Sequence, residues 1–176
     1  MTVVYIPATL PMLAQLVADG SLRPVNGTAF ALTPRLREAY AEGDDDELAD
    51  VALREAALAS LRLLAARETE AAEGTDASSE SLRPRRAVLA AEVEDVTYRP
   101  DLDDAVVRLS GPVPIDDVIA AYVDNAGAEP AVAKAIEAVD AADLGDEDAD
   151  LIVGDAQDHD LAWYANQELP FLLELM

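Results

Sequence analysis

The sequence DDDELADVALREAALASLRLLAARE, residues 44–68, predicts the element around which the other parts of the chain pack. Its four leading carboxylates lie at the positive end of a helix dipole and stabilise the first turn. The larger aliphatic residues spread around most of the helical circumference: Leu48, Val51, Leu53, Leu58, Leu61, Leu63 and Leu64. Because a helix that is apolar on several sides lies centrally or at an interface, we predict one long central helix over about residues 45–68.

Shorter strands and helices are predicted on both sides of this helix. Runs of β-branched and apolar residues predict strands over 2–6, 28–32, 86–93, 105–109, 120–123 and 151–153. Helical spacing and capping residues predict helices over 10–19, 34–40, 130–139 and 158–169. The separation of segments 86–93 and 105–109 permits an antiparallel pair. The mixture predicts a single α+β domain over residues 1–176, with a modest mixed or antiparallel sheet packed with several helices.

Residues 69–84, TEAAEGTDASSESLRP, are polar and small. Such a segment buries too little apolar area to offset the entropy of ordering it. We predict a mobile loop that is dispensable for folding and does not separate two domains.

The charge of the chain limits its partners. Asp and Glu number 36 against 12 Lys and Arg, which gives a net charge of −24. Phosphate backbones and anionic membrane surfaces are repelled by this charge, so we expect neither nucleic acid nor membrane as a partner. A basic protein is instead attracted, although the acidity is explained more simply by a compositional bias of the genome or by a salty cytoplasm. Neither a signal peptide nor an apolar run of membrane-spanning length is visible, which favours the cytoplasm.

Signatures of catalysis and of metal binding are weak. The sequence has no cysteine, one histidine, and no phosphate-binding, dinucleotide, serine-nucleophile or zinc motif. The nearest metal motif is Asp146-x-Asp148-x-Asp150, which matches the opening of a calcium loop. Leu151 stands where that loop needs glycine, and Gln157 stands where it needs a bidentate glutamate. We therefore expect no cofactor, no tight structural metal and no catalytic residue, with these three aspartates as weak metal candidates.

The predicted helix over 158–169 carries the candidate binding residues. At 100° per residue, His159, Trp163, Asn166 and Gln167 share one helical face. A tryptophan beside a histidine and two amides offers an apolar plane with several hydrogen-bonding groups, as ligand sites do. The alternative is structural: Trp163 covers an edge of the core, and the polar groups cap neighbouring strands.

Several short stretches carry a resemblance to a known family. They are VYIPATL at 4–10, LTP at 32–34, GDED at 145–148, and WYA at 163–165 followed by QEL at 167–169. Through them the chain resembles a family of uncharacterised actinobacterial proteins, classed as a domain of unknown function, over nearly its whole length. The resemblance implies a cytoplasmic bacterial protein, and it assigns no activity and no catalytic residue.

Three functions are open at this point. The first is a non-catalytic binding or regulatory module that recognises a protein through an acidic surface. The second is a small enzyme or metal-dependent binder that uses His159 with the carboxylates near residues 143–160. The third is a nucleic-acid mimic that presents its anionic surface to basic proteins. An enzyme should gather polar groups in a concave pocket, whereas a mimic should spread carboxylates in rows. The sequence makes no prediction of the oligomeric state.

Overall fold

The longest element is helix α3 (Asp45–Ala72) in the computed structural model, which describes residues 2–40, 42–72 and 83–174. The prediction of one long helix from residue 45 is confirmed. The helix extends to Ala72, so the first four residues of the predicted loop 69–84 are helical. Residues 73–82 of that loop lie outside the described residues, and its mobility stays a prediction.

The described strands form one large sheet and a small two-stranded ribbon. The large sheet has the order β5-β6-β3-β1-β4-β8-β9, and the ribbon pairs β2 with β7. All of these pairings are antiparallel. The bounds of the strands are β1 (Thr2–Ala8), β2 (Ser21–Leu22), β3 (Thr28–Phe30), β4 (Ala87–Val93), β5 (Val96–Tyr98), β6 (Val106–Leu109), β7 (Val113–Pro114), β8 (Val118–Val123) and β9 (Ala162–Ala165).

The centre of the large sheet is the pairing of β1 with β4. Seven consecutive pairs, from Thr2 opposite Val93 to Ala8 opposite Ala87, join these two strands. The antiparallel pair of segments 86–93 and 105–109 that the spacing permits does not form, because β6 pairs with β3 and β5, whereas β4 lies between β1 and β8. Spacing along the chain permitted the pair but could not exclude other neighbours for either strand.

Helices cover both faces of the sheet. On one face, α1 (Leu10–Asp19) and α6 (Leu169–Glu174) pack against strand residues such as Ile6 and Leu89. On the opposite face, the N-terminal half of α3 packs against residues such as Phe30 and Val88. Successive strand residues point to opposite faces, so the largely apolar β1 and β4 supply both cores. The predicted α+β class with one compact domain is confirmed.

The C-terminal half of α3 leaves the sheet and packs against a helical hairpin. That hairpin consists of α4 (Glu129–Asp143) and α5 (Glu147–Gln157). Leu61 and Leu64 of α3 share a buried cluster with apolar residues of both helices. Arg62 also binds Asp143 at two points, with Nε–Oδ2 and Nη2–Oδ1 distances of 3.0 and 2.9 Å. The predicted strand over 151–153 is wrong, because these three apolar residues belong to α5.

Two buried hydroxyl groups fasten helices to the rest of the fold. Ser60 of α3 donates to the carbonyl of Ala8 at 2.7 Å and accepts from the amide of Ala87 at 3.0 Å, so α3 is tied to β1 and β4. Thr33 caps α2 (Pro34–Ala39) by accepting the amide of Leu36 at 3.0 Å, and its hydroxyl donates to the carbonyl of Asp104, which ties α2 to the segment before β6. Among the described helices, none is long and apolar enough to span a membrane.

Candidate functional site

A cleft of about 400 Å³ opens between the first half of α3 and the segment that follows α5. Its size suits a small ligand or a few groups of a peptide. Four parts of the fold line it: Asp50, Leu53, Arg54 and Ala57 from α3, Arg86 from the approach to β4, Tyr122 from β8, and Gln157, His159, Asp160 and Leu161 from the end of α5 and its connection to β9.

The floor of the cleft is a buried ion pair. Arg86 precedes β4 and Asp124 follows β8, and the pairing of Ala87 with Val123 brings the two side chains together. Nε and Nη2 of Arg86 donate to the two carboxylate oxygens of Asp124, each at 2.8 Å. The same carboxylate accepts the backbone amide of Arg86 at 2.8 Å. Such two-point geometry and extra hydrogen bonding offset part of the cost of burying two charges.

Arg86 also positions the wall of the cleft. Its Nη2 donates a second hydrogen bond to the carbonyl of His159 at 2.9 Å, which holds the chain just after α5. The remaining amino group, Nη1, has no hydrogen-bond partner within residues 2–40, 42–72 and 83–174. Arg86 is 2% exposed and lines the cleft, and Nη1 is not one of the buried unpartnered atoms of the described residues, so we infer that Nη1 is the donor open to the cleft.

The rim of the cleft carries charges of both signs. Arg54 and Asp50, one helical turn apart on α3, form an ion pair with an Nε–Oδ2 distance of 3.9 Å. Both side chains are about two-thirds exposed, so this pair is weak and exchanges readily with other partners. Asp160 is exposed on the opposite rim and forms no ion pair with any described residue.

Aromatic side chains extend from the cleft across the sheet. The rings of Tyr5 and Tyr122 lie with their centroids 6.5 Å apart and their planes at 59°. Burial, and secondly the Asp50 carboxylate, raise the pKa of Tyr122, so its hydroxyl stays protonated and able to donate at neutral pH. Trp163 is directly opposite Tyr122 in the β8–β9 register and is 57% exposed. Residues opposite each other share a sheet face, so Trp163 flanks the cleft.

The predicted final helix over 158–169 is wrong. Residues 162–165 form β9, a short 3₁₀ turn follows at Asn166–Glu168, and α6 begins only at Leu169. The four candidate residues therefore do not share a helical face. Leu161, Ala165 and Leu169 match a helical period, but the edge of the sheet offers residues 162–165 a partner strand in β8, and tertiary pairing overrides the local pattern.

The structure separates the four candidate binding residues. His159 lines the cleft and Trp163 flanks it. Asn166 lies elsewhere and donates from Nδ2 to the carbonyls of Ile115 and Val118, both at 2.7 Å. That is the structural role of an amide that satisfies neighbouring backbone groups. Gln167 is exposed in the same 3₁₀ turn.

The weak metal candidates form the start of a helix. Asp146 is the N-cap of α5, and its Oδ1 accepts the amide of Ala149 at 3.0 Å. Asp148 and Asp150 follow in the first turn, where carboxylates stabilise the helix through its dipole. Within the described residues, no group of three or more His, Asp or Glu is placed to hold a metal ion.

Sequence reasoning missed the residues that define the cleft, Arg86, Asp124 and Tyr122. One signal was present: a charged residue borders each of two apolar runs, Arg86 before AVLAA and Asp124 after VIAAYV. Charges at such positions are buried when they find a partner. The pairing itself depends on β4 and β8 being neighbours, and neither segment reveals that relationship.

The α4–α5 hairpin (residues 129–157) is a second notable surface, called here the acidic hairpin. It contains nine Asp and Glu residues and one basic residue, Lys134. Two of these carboxylates pair with arginines, Glu129 with Arg85 and Asp143 with Arg62, and the other seven form no ion pair with the described residues. Leu144 and Leu151 are exposed on the same hairpin, at 90% and 70%.

Comparison with known proteins identifies the family. No curated protein and no solved structure matches this chain. The model of one family, described as a family of unknown function (DUF6912), matches residues 2–173. This match spans both surfaces described above and confirms the resemblance to a family without an assigned activity: the chain belongs to the family of unknown function DUF6912.

Proposed function

We propose that this protein is a non-catalytic binding module that recognises a basic segment of a partner protein through its acidic hairpin. The main support for this proposal is that seven carboxylates on residues 129–157 have no ion-pair partner among the described residues. Their mutual repulsion is relieved when a cationic surface approaches. A concentrated field of one sign also increases the rate of encounter with an oppositely charged partner.

The exposed leucines define the chemistry of the partner further. Leu144 follows the last turn of α4, and Leu151 lies on the solvent side of α5. Apolar side chains surrounded by carboxylates match a segment in which apolar and basic residues alternate at helical spacing. We therefore propose a basic amphipathic helix as the occupant.

The two alternative functions have less support. The cleft gathers His159 with Asp50 and Asp160, as the enzyme hypothesis requires, but its lining residues include no serine, threonine or lysine. The unpaired carboxylates are also what a nucleic-acid mimic needs, yet the exposed leucines have no counterpart in a phosphate backbone. We also propose that the protein acts in the cytoplasm of an actinobacterium, as expected from the sequence.

The test uses a fluorescent peptide of leucine and lysine at helical spacing, followed by anisotropy at about 50 and about 300 mM salt. One variant carries Asp140→Asn, Asp150→Asn and Asp155→Asn on the acidic hairpin. The matched control carries Asp19→Asn, Glu38→Gln and Glu92→Gln, three exposed carboxylates elsewhere. Both variants lose the same charge. We expect the hairpin variant to weaken binding about tenfold at low salt and the control to change it less than about threefold.

A further pair of measurements examines the apolar contribution. The double variant Leu144→Asn and Leu151→Asn should weaken binding at both salt concentrations, because apolar contacts are not screened by ions. Equal losses in the hairpin and control variants would mean that net charge alone attracts the peptide. The acidic hairpin would then not be the binding surface.

A further inference from the structure

We propose that the cleft above Arg86 is an anchor site for one basic residue of a bound peptide, whose main-chain carbonyl accepts from Arg86 and whose cationic end lies between Asp50 and Asp160. The inference rests on the proposed function, since it names a specific position where a basic partner is held. It concerns the cleft, which shares only Gln157 with the acidic hairpin, and it has its own test.

The unused donor on Arg86 indicates an oxygen ligand. Nη1 carries two N–H groups on a side chain that is 2% exposed, and no described residue accepts from them. Nη1 is not one of the buried unpartnered atoms of the described residues, so its N–H groups are open to the cleft, and an acceptor that enters can take the place of solvent on them. The positive charge of Arg86 is already balanced by Asp124, so the site needs a hydrogen-bond acceptor and not a compensating anion. A peptide carbonyl has this chemistry.

The rim favours a cation at the other end of the ligand. Asp160 is exposed without an ion pair to any described residue, and Asp50 is held only by its weak pair with Arg54. Tyr122 lines the same cleft. A guanidinium or ammonium group gains from nearby carboxylates and from an aromatic face.

The apolar part of the cleft lining suits an aliphatic stem. Leu53, Ala57 and Leu161 line the same cleft as the charged groups. Lys and Arg side chains bury their methylene stems against apolar surface while the charged head stays in water. A small anion such as phosphate matches this arrangement poorly, because two rim carboxylates and a net charge of −24 oppose it.

The experiment uses three probes: N-acetyl-arginine methylamide, N-acetyl-norleucine methylamide and inorganic phosphate. Trp163, the single tryptophan of the sequence, flanks the site and reports through its fluorescence. The side-chain N–H signals of Arg86 report on the floor by nuclear magnetic resonance. We expect the arginine probe alone to cause saturable changes in both signals. Removing one rim carboxylate, by Asp160→Asn or Asp50→Asn, should weaken its binding about three- to tenfold.

Matched controls separate this inference from the proposed function. The acidic-hairpin triple variant should bind the arginine probe within about twofold of the unmodified protein, since it leaves the cleft unchanged. If phosphate binds instead, or if the arginine probe leaves the Arg86 signals unmoved, the anchor site is refuted. Binding of the leucine–lysine peptide can still depend on the hairpin in that case. Conversely, the arginine probe could bind saturably while the hairpin substitutions leave binding of the leucine–lysine peptide unchanged. That result would support the anchor site and refute the acidic hairpin as the binding surface.

Discussion

Arg86 and Asp124 form a two-point ion pair in the interior, with side chains that are 2% and 0% exposed. The carboxylate also accepts the backbone amide of Arg86, so three of its hydrogen bonds come from one residue. Asp124→Asn keeps the shape but leaves the guanidinium buried without a compensating charge. We expect a loss of about 3–5 kcal/mol in the free energy of unfolding, measured by urea denaturation with circular dichroism.

The double variant Arg86→Met and Asp124→Leu is the matched control for this pair. It removes both charges together, so no buried charge is left unpaired. It should recover most of the stability lost in Asp124→Asn. A single variant that loses less than about 1 kcal/mol would show that the pair is not essential to the fold.

Ser60 is predicted to stabilise the packing of α3 on the sheet. Its hydroxyl is the only described group that both donates to Ala8 and accepts from Ala87. Ser60→Ala leaves a buried carbonyl and a buried amide without this partner, so stability should fall by about 1–3 kcal/mol. The same substitution at the exposed Ser110 should change stability by less than about 0.5 kcal/mol, and similar losses at both positions would contradict the assignment.

Two glycines should respond to alanine in opposite directions. Gly27 has φ +67°, and a Cβ there would lie 2.9 Å from the carbonyl oxygen of Leu109. Gly27→Ala should therefore destabilise the fold by about 1–3 kcal/mol. Gly154 is inside α5, and a methyl group added there would meet open space. Gly154→Ala should stabilise by up to about 1 kcal/mol, and thermal melts of the two variants check both signs.

Ionisation of Glu55 should destabilise the fold, so the contribution of this residue to stability should be less favourable at neutral than at acidic pH. Burial, and secondly the Asp103 carboxylate, raise its pKa in the folded state, while Arg62 lowers it. A raised folded pKa means that protonation favours the fold, and this contribution is lost as the pH rises through that pKa. Glu55→Gln should therefore raise the melting temperature at pH 7, and the gain should vanish near about pH 4.

The exposed Glu38 provides the comparison for this pH dependence. Glu38→Gln removes the same charge from the surface, so it corrects for the relief of general repulsion in a chain of net charge −24. The difference between the two variants isolates the environment of Glu55. A gain that persists unchanged at low pH would contradict the role of its ionisation.

Trp163 is predicted to contribute little to stability. Its burial would imply a loss of about 3–5 kcal/mol on truncation, but the side chain is 57% exposed at the edge strand β9. Trp163→Ala should cost about 1 kcal/mol or less, because less than half of its surface is removed from water. A larger loss in urea denaturation would show that Trp163 belongs to the core.

The sequence predicts correctly those parts of the fold whose conformation depends on interactions between residues near each other in the chain. The acidic start and apolar residues of α3 are sufficient to predict a long helix from residue 45. The predicted helix over 10–19 has the bounds of α1, because Gly20, with φ 79°, ends it and its amide donates to the carbonyl of Leu16 at 2.8 Å. In both places the neighbouring residues alone favour one conformation.

Long-range pairing decided what the sequence could not show. Residues 151–153 are an apolar triplet that suits either a strand or a buried helical turn, and the contacts of α5 with α4 and α3 select the helix. Residues 162–165 suit either a helix or a strand, and β8 selects the strand. The floor of the cleft joins residues 38 positions apart, so only the β4–β8 register reveals it.

The pairing of β1 with β4 also determines how long β1 lacks its main partner while the chain is being synthesised. The partner of β1 begins at Ala87, which a ribosome working at about 5–20 residues per second adds roughly 4–16 seconds after Ala8. Until then β3 offers β1 only the pair Tyr5–Phe30. Val4 and Ile6 are fully buried in the finished fold. Their apolar side chains therefore stay exposed on the nascent chain until β4 has been synthesised. Binding by chaperones should be concentrated in that interval.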